Sequence, residues 1–255
     1  MDEPVAVSKR RKGVYLLPNL FTTGTLFGGF YAIIAGMGGF YSLAAIAIFI
    51  AMICDSLDGL IARKTNTASE FGKEYDSLCD MVAFGLAPSL VAYSWSLHYL
   101  ADYKWLGGKL GWVAAFMYAA CAALRLARFN VLASRGGAKG NFFGLPSPAA
   151  AAVVGGFVWA ADDLGFQGEM LVLPATLLTI FAAAMMVTNF RFWSLKSLKL
   201  TERVPFRYIV FAILILVLFA LKPPLIFFLV FFGYALTGPV GALWRRFRKK
   251  SAAAV

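Results

Sequence analysis

Long apolar runs separated by short polar stretches set the pattern of this chain. A polar, basic segment at 1–13 gives way to a first run from about Leu16 to Gly36, with Pro18 near its first turn, where a missing N–H does least harm. The turn Gly36-Met37-Gly38-Gly39 leads into a second run from about Phe40, which ends in the polar segment Asp55–Arg63. A third run begins near Phe71 and reaches about Trp95, and a fourth covers about Leu110–Val131. A fifth starts at Gly144-Leu145-Pro146 and stops before Asp162-Asp163, and a sixth covers about Met170–Phe190. After a basic connector at 191–205, runs at about Phe206–Leu221 and Leu225–Leu243 flank Lys222-Pro223-Pro224, a turn by composition. Several of these runs approach or exceed the roughly 20 residues that cross a bilayer core. The pattern predicts an all-α fold, a polytopic membrane helical bundle of about eight transmembrane helices.

Composition agrees. Of 255 residues, 60% are hydrophobic and 15% charged, against about half and a quarter in a soluble domain. The net charge of +11 would fit a nucleic-acid partner if it were gathered in one domain, but it lies in short clusters beside apolar runs, so no nucleic acid is expected. All but three of the 24 lysines and arginines fall at the N-terminus, at 63–73, 125–139 and 191–207, and at the C-terminus; the exceptions are Lys104, Lys109 and Lys222. Basic residues favour the cytoplasmic side, so both termini and the Asp55–Asp80 stretch are expected there, in the cell's inner (cytoplasmic) membrane, with anionic lipid headgroups as neighbours. Lys9-Arg10-Arg11-Lys12 leads into the first run without a small-residue cleavage site, so no signal peptide is expected. The expected organisation is a basic cytoplasmic segment at 1–13, a six-span core at 14–190, a connector with two further spans at 191–244, and a basic cytoplasmic tail at 245–255. Cys54, Cys79 and Cys121 share no ligand spacing and read as buried, reduced thiols.

The chemistry concentrates between Asp55 and Asp80. Asp55 and Asp58 are i,i+3 and Asp76 and Asp80 are i,i+4, so each pair projects from one helix face. One carboxylate at membrane depth costs roughly 2.5–3.5 kcal/mol even on lenient scales. Four together need a cation. An all-oxygen donor set favours Mg²⁺ or Mn²⁺ over zinc, and two ions sharing a bridging ligand balance four carboxylates better than one. The only histidine, His98, falls at the far end of the third run, outside this set. Gly59, Ala62 and Gly72 clear the same helix faces for a flat or phosphorylated ligand, or form an ordinary packing seam. Arg63 and Lys64 would serve a phosphate, or mark topology.

Asp58-Gly59-x2-Ala62-Arg63-x8-Gly72-x3-Asp76-x3-Asp80, with Asp55 three residues ahead, resembles the signature of the CDP-alcohol phosphatidyltransferases, every fixed position standing at its spacing. Within that family the surroundings resemble the membrane-embedded bacterial and archaeal phosphatidylserine synthases. The pointers are Pro18-Asn19-Leu20-Phe21-Thr22, Ser69–Leu78, Phe84–Pro88, Ala123–Asn130 and Gly144-Leu145-Pro146-x-Pro148. The resemblance implies transfer of a phosphatidyl group from CDP-diacylglycerol to L-serine, with release of CMP, by a homodimer. It implies that Asp55, Asp58, Asp76 and Asp80 bind two divalent ions, Mg²⁺ or Mn²⁺, with Asp80 also the general base. Asn19, Thr22, Gly59, Ala62, Arg63 and Gly72 carry over as CDP contacts. Serine's carboxylate needs a cation, best a bidentate guanidinium; Arg125, Arg128 and Asn130 end the fourth run on the correct side, and Arg128 with Asn130 is the favoured pair. The motif leaves the acceptor open, so glycerol 3-phosphate, glycerol or inositol are alternatives. A prenyltransferase would need a different acid spacing, and a cation transporter would place acids nearer the midplane of several helices.

Overall fold

The computed structural model describes residues 16–65, 69–102, 109–134, 144–190, 192 and 220–252. All regular structure among them is helical. The helices are α1 (Leu16–Met37), α2 (Tyr41–Thr65), α3 (Glu70–Asp80), α4 (Ala87–Trp95), α5 (Leu110–Ser134), α6 (Ser147–Asp163), α7 (Val172–Val187) and α8 (Pro223–Ala252). A π-helical turn, Met81–Leu86, joins α3 to α4, and short 3₁₀ turns stand at Leu97–Ala101 and Gly168–Leu171.

Among the described residues, six stretches are long and apolar enough to cross a membrane: Pro18–Met37, Tyr41–Ala62, Glu70–Trp95, Leu110–Leu132, Gly168–Val187 and Pro223–Ala242. The chain is an all-helical membrane protein. The expected fifth span is realised as α6, whose 17 residues reach only about 26 Å at 1.5 Å per residue, short of the roughly 30 Å hydrocarbon core. The expected span at Phe206–Leu221 lies outside the described residues except for its last two positions. At Lys222-Pro223-Pro224 the turn narrows to Lys222, because both prolines open α8, where their missing N–H groups have no partner to lose. The backbone of α8 continues to Ala252, so most of the expected tail is helical. Cys79 is buried as expected, whereas Cys54 and Cys121 are only half-buried.

Inside and outside differ by size more than by polarity. Phe27, Phe30, Ile34, Ile53, Phe116 and Leu124 are exposed on the flanks, a surface that a bilayer solvates and water would not. The interior is built from small residues, which let helix backbones approach where lipid removes the hydrophobic drive for association. α6 is the extreme case, buried without a break from Ala149 to Gly156 and packed against α2, α4, α7 and α8.

Alternating helix directions bring six termini to one end of the bundle: the starts of α1, α3 and α6 and the ends of α2, α5 and α7. Ser69 caps α3, its Oγ accepting from Gly72 N–H at 3.0 Å, an interaction worth about 1 kcal/mol. The π turn begins directly after Asp80. Ala87 N–H reaches back to Val82 O, and Pro88, having no N–H, cannot serve the Phe84 carbonyl four residues earlier. The fully buried Tyr118 of α5 supplies that bond from its hydroxyl, at 3.2 Å. Gly29 of α1 admits the turn: a Cβ there would lie 2.5 Å from Ala83 Cα.

Candidate active site

Three of the four aspartates meet. Carboxylate oxygens of Asp55 (α2), Asp76 and Asp80 (α3) all lie within 4.8 Å of one another. The side chains are half-buried, and Oδ1 of Asp76 and Oδ1 of Asp80 are buried without a hydrogen-bond partner. An orphaned buried carboxylate oxygen is expensive, and two of them in one cluster of acids suit a group that could hold a cation. Their hard, all-oxygen character and lack of protein donors fit Mg²⁺ or Mn²⁺.

Asp58 stands apart from the three. It is buried, and its Oδ2 accepts from Thr22 Oγ1 at 2.8 Å. The same hydroxyl lies 3.1 Å from Pro18 O, so its proton is shared between two acceptors. Asp58 remains near enough to Asp55 and Asp76 to interact with them electrostatically. Thr22, expected at the nucleotide, is thus already engaged with a carboxylate.

The other expected nucleotide contacts lie on α1, α2 and α3, the helices that carry the four aspartates and Thr22. Gly72 faces Asn19, whose Oδ1 would lie 3.7 Å from a Cβ added at the glycine, so the two sit together across α1 and α3. Thr23, bonded to Asn19 O at 2.7 Å, places its hydroxyl 3.0 Å from that of Tyr75. Gly59 and Ala62 are half-buried on the last turns of α2. Arg63 lies on the same helix; its side chain falls outside the described residues.

The three polar residues at the end of α5 separate. Arg125 is half-buried and interacts electrostatically with Asp80 and Asp55; its Nη1 donates to Ser147 Oγ at 2.7 Å, and its guanidinium carbon stands 6.0 Å from the Phe129 ring centroid. Arg128 is exposed and donates from Nη2 to Asn189 Oδ1 at 2.7 Å. Asn130 pairs with Ser77 of α3, Nδ2 donating to Ser77 Oγ at 2.9 Å. The favoured pair, Arg128 with Asn130, is therefore tied to two different segments, the stretch after α7 and α3, and Arg125 is the one of the three with electrostatic contact to the acids. His98 is at the opposite end of the bundle, its Nδ1 3.0 Å from Tyr93 O.

Ser147, Asn189 and Ser77 are partners that the sequence reading did not assign to the site. Ser147 is the unspecified position of Gly-Leu-Pro-x-Pro, and Asn189 is a lone amide closing an apolar run; both signals were visible.

The described residues form an all-helical membrane bundle in which carboxylates from two helices come together as a group that could hold a metal ion, with small residues on the same helices. Residues 15–180 match the family described as CDP-alcohol phosphatidyltransferase, and the chain belongs to that family. It is similar to a protein of Helicobacter pylori (strain ATCC 700392 / 26695) named CDP-diacylglycerol--serine O-phosphatidyltransferase, 35% identical over 187 residues, 73% of this chain and 75% of that one. It is also similar to an archaetidylserine synthase of Methanothermobacter thermautotrophicus, 34% identical over 178 residues, 69% of each chain. A Bacillus subtilis protein with the same name as the first is 37% identical over 132 residues, 52% of this chain and 69% of that one.

Proposed function

We propose that the chain transfers the phosphatidyl group of CDP-diacylglycerol to the hydroxyl of L-serine, giving phosphatidylserine and CMP. The observation that carries this is the cluster of Asp55, Asp76 and Asp80, with two orphaned buried oxygens, set within the family's motif and beside Arg125. The serine reading is further supported by the names of the relatives.

Asp55, Asp76 and Asp80 would hold the divalent ions, Mg²⁺ or Mn²⁺ and two in number, with Asp58 completing the set from its anchor on Thr22. When bound, such ions neutralise the diphosphate and the charge that develops on the leaving nucleotide. Asn19, Gly59, Ala62, Arg63 and Gly72 line the nucleotide's place, the glycines and alanine leaving the helix backbone open to it. The serine hydroxyl oxygen attacks the phosphorus that carries the diacylglycerol, the bond from that phosphorus to the CMP oxygen breaks, and the hydroxyl proton passes to the Asp80 carboxylate. Arg125 receives the serine carboxylate. Its burial near the acids supports this over Arg128, which faces outward and is held by Asn189.

The charge bias supports a cytoplasmic location for this end of the bundle and for both termini, in the inner membrane, where CDP-diacylglycerol offers its headgroup and serine arrives from water. Residues 14–190 form the catalytic core and the two spans after 191 an addition, a division supported by the family match ending at 180. The family resemblance supports a homodimer, which cross-linking in native membranes would reveal; a monomer under those conditions would sink that part.

The central test uses purified protein in detergent with CDP-diacylglycerol, Mg²⁺ or Mn²⁺, and a panel of alcohols. CMP release that depends on L-serine is the expected result. Release without serine, or none with it, would overturn the reading.

A further inference from the structure

We propose that Ser147 is a positioning residue for the acceptor: it holds the Arg125 guanidinium away from the acid cluster, and so leaves that guanidinium free for the acceptor's anionic group. The inference rests on the transfer reading above and adds a residue to it.

Ser147 is fully buried and opens α6. Its place is fixed from behind by two backbone bonds between the segment before α6 and the end of α7. Gly144 N–H donates to Phe190 O at 3.0 Å, and Leu145 N–H donates to Met185 O at 2.9 Å. Gly144 has φ +82, and a Cβ there would run into the Met186 carbonyl oxygen; only glycine allows the approach. The serine hydroxyl is thus a rigid acceptor on the buried end of the most enclosed helix.

Arg125 needs such a restraint. Its side chain is long and carries about 2 kcal/mol of rotamer entropy, and it sits in the field of Asp80 and Asp55. Left alone, a guanidinium beside carboxylates closes onto them in a bidentate pair. Among the described residues the only ion pair is Lys222 with Asp163, so Arg125 feels the acids without touching them. The bond from Nη1 to Ser147 Oγ at 2.7 Å is what turns the guanidinium aside, with the Phe129 ring against it. Of the five N–H donors of a guanidinium, Ser147 takes one and the others stay available near the acids, where an acceptor carboxylate or phosphate must lie for its hydroxyl to reach Asp80.

The experiment compares wild type, Ser147→Ala, Ser147→Cys and Ser147→Thr as full-length protein in detergent, measuring KM for CDP-diacylglycerol and for the acceptor separately. Alanine removes the hydroxyl, cysteine keeps the volume but is a weak acceptor, and threonine restores the hydroxyl. The expected result is an acceptor KM raised about 10- to 100-fold in the alanine and cysteine variants, the scale of losing one hydrogen bond to a charged group, with the donor KM within about twofold and recovery by threonine. An unchanged acceptor KM in either the alanine or the cysteine variant, or equal rises for both substrates, overturns the inference. The two readings fail separately. Serine turnover that is indifferent to Ser147 leaves the function standing and removes the positioning role. Turnover with glycerol 3-phosphate in place of serine, with its KM raised in the same variants, removes serine and keeps Ser147. Turnover with uncharged alcohols alone removes both.

Discussion

The two ends of the bundle both carry acids and treat them in opposite ways. At the end where α6 stops, Asp162 accepts from Ser42 Oγ at 2.6 Å and Asp163 lies 3.7 Å from Lys222 Nζ. Asp162 and Asp163 each have a protein partner, and Asp163 is exposed. At the other end Asp55, Asp76 and Asp80 crowd together with no basic partner in contact among the described residues, and two of their oxygens are buried and unbonded. Native proteins rarely leave buried polar atoms unsatisfied, so an acid the fold uses for itself is satisfied by the fold. The unsatisfied acids are the ones kept for something else. On the proposed function, that contrast separates structural from functional carboxylates better than their number or hydropathy does.

The largest test of it is exchange of one charge at each end. Asp80→Asn should lower serine-dependent CMP release by about 10³-fold or more, the scale of removing a group that acts on the reacting atoms, while the protein stays folded. Asp163→Asn should leave turnover within about twofold. In EDTA the melting temperature of Asp80→Asn should equal or exceed that of wild type, because one of three crowded, like-charged groups has gone. Retained turnover in Asp80→Asn, or a comparable loss in Asp163→Asn, would erase the distinction between the ends.

Metal should act on one end only. Chelation should abolish turnover and Mn²⁺ or Mg²⁺ restore it. Added Mn²⁺ at about 100 times its Kd should stabilise wild type by about 2.7 kcal/mol, read as a rise in melting temperature. Asp80→Asn and Asp76→Asn should lose most of that rise, whereas Asp162→Asn should keep it. A metal-induced rise that survives in all these variants would place the ions elsewhere.

Much of the site end was legible because its chemistry departs from its surroundings. Acids in apolar runs stand out, and i,i+3 and i,i+4 spacing assigns them to helix faces without any tertiary knowledge. What escaped depends on three-dimensional neighbours. Every helix in a membrane bundle is apolar on both its lipid and its protein face, so hydropathy cannot say that α6 is central; its run Ala149–Ala152 with Gly155 and Gly156 could have, through size. The π turn after Asp80 was hidden in an unbroken apolar stretch, and Pro88 was its one local clue. Arg125, Arg128 and Asn130 share the end of one helix, yet their partners Ser147, Asn189 and Ser77 come from three different segments, so spacing alone could not say which of them faces the acids. Thr22 was expected as a nucleotide contact, and its bond to Asp58 was not legible from spacing.

The sharpest form of the comparison is a matched pair of bonds. Thr22 Oγ1 to Asp58 Oδ2 at 2.8 Å and Ser42 Oγ to Asp162 Oδ2 at 2.6 Å are both hydroxyl-to-carboxylate bonds between α1 or α2 and a partner helix. Geometry alone would rate them alike, each costing about 1.5–3 kcal/mol of stability when the hydroxyl is removed, as for hydrogen bonds to charged groups. Their ends differ, so their effects on activity should too. Thr22→Val keeps the shape and frees the Asp58 carboxylate from its anchor; turnover should fall about 10- to 100-fold, as when an outer partner of a metal-binding group is lost, and more Mn²⁺ should be needed to reach half-maximal rate. Ser42→Ala should shift the melting temperature by a similar few degrees and leave both the rate and the Mn²⁺ requirement within about twofold of wild type. Measuring melting temperature and Mn²⁺ titration on the two variants side by side separates loss of stability from loss of metal-dependent rate. Equal losses of activity would mean that Asp58 is a packing residue and that the functional set ends at Asp55, Asp76 and Asp80.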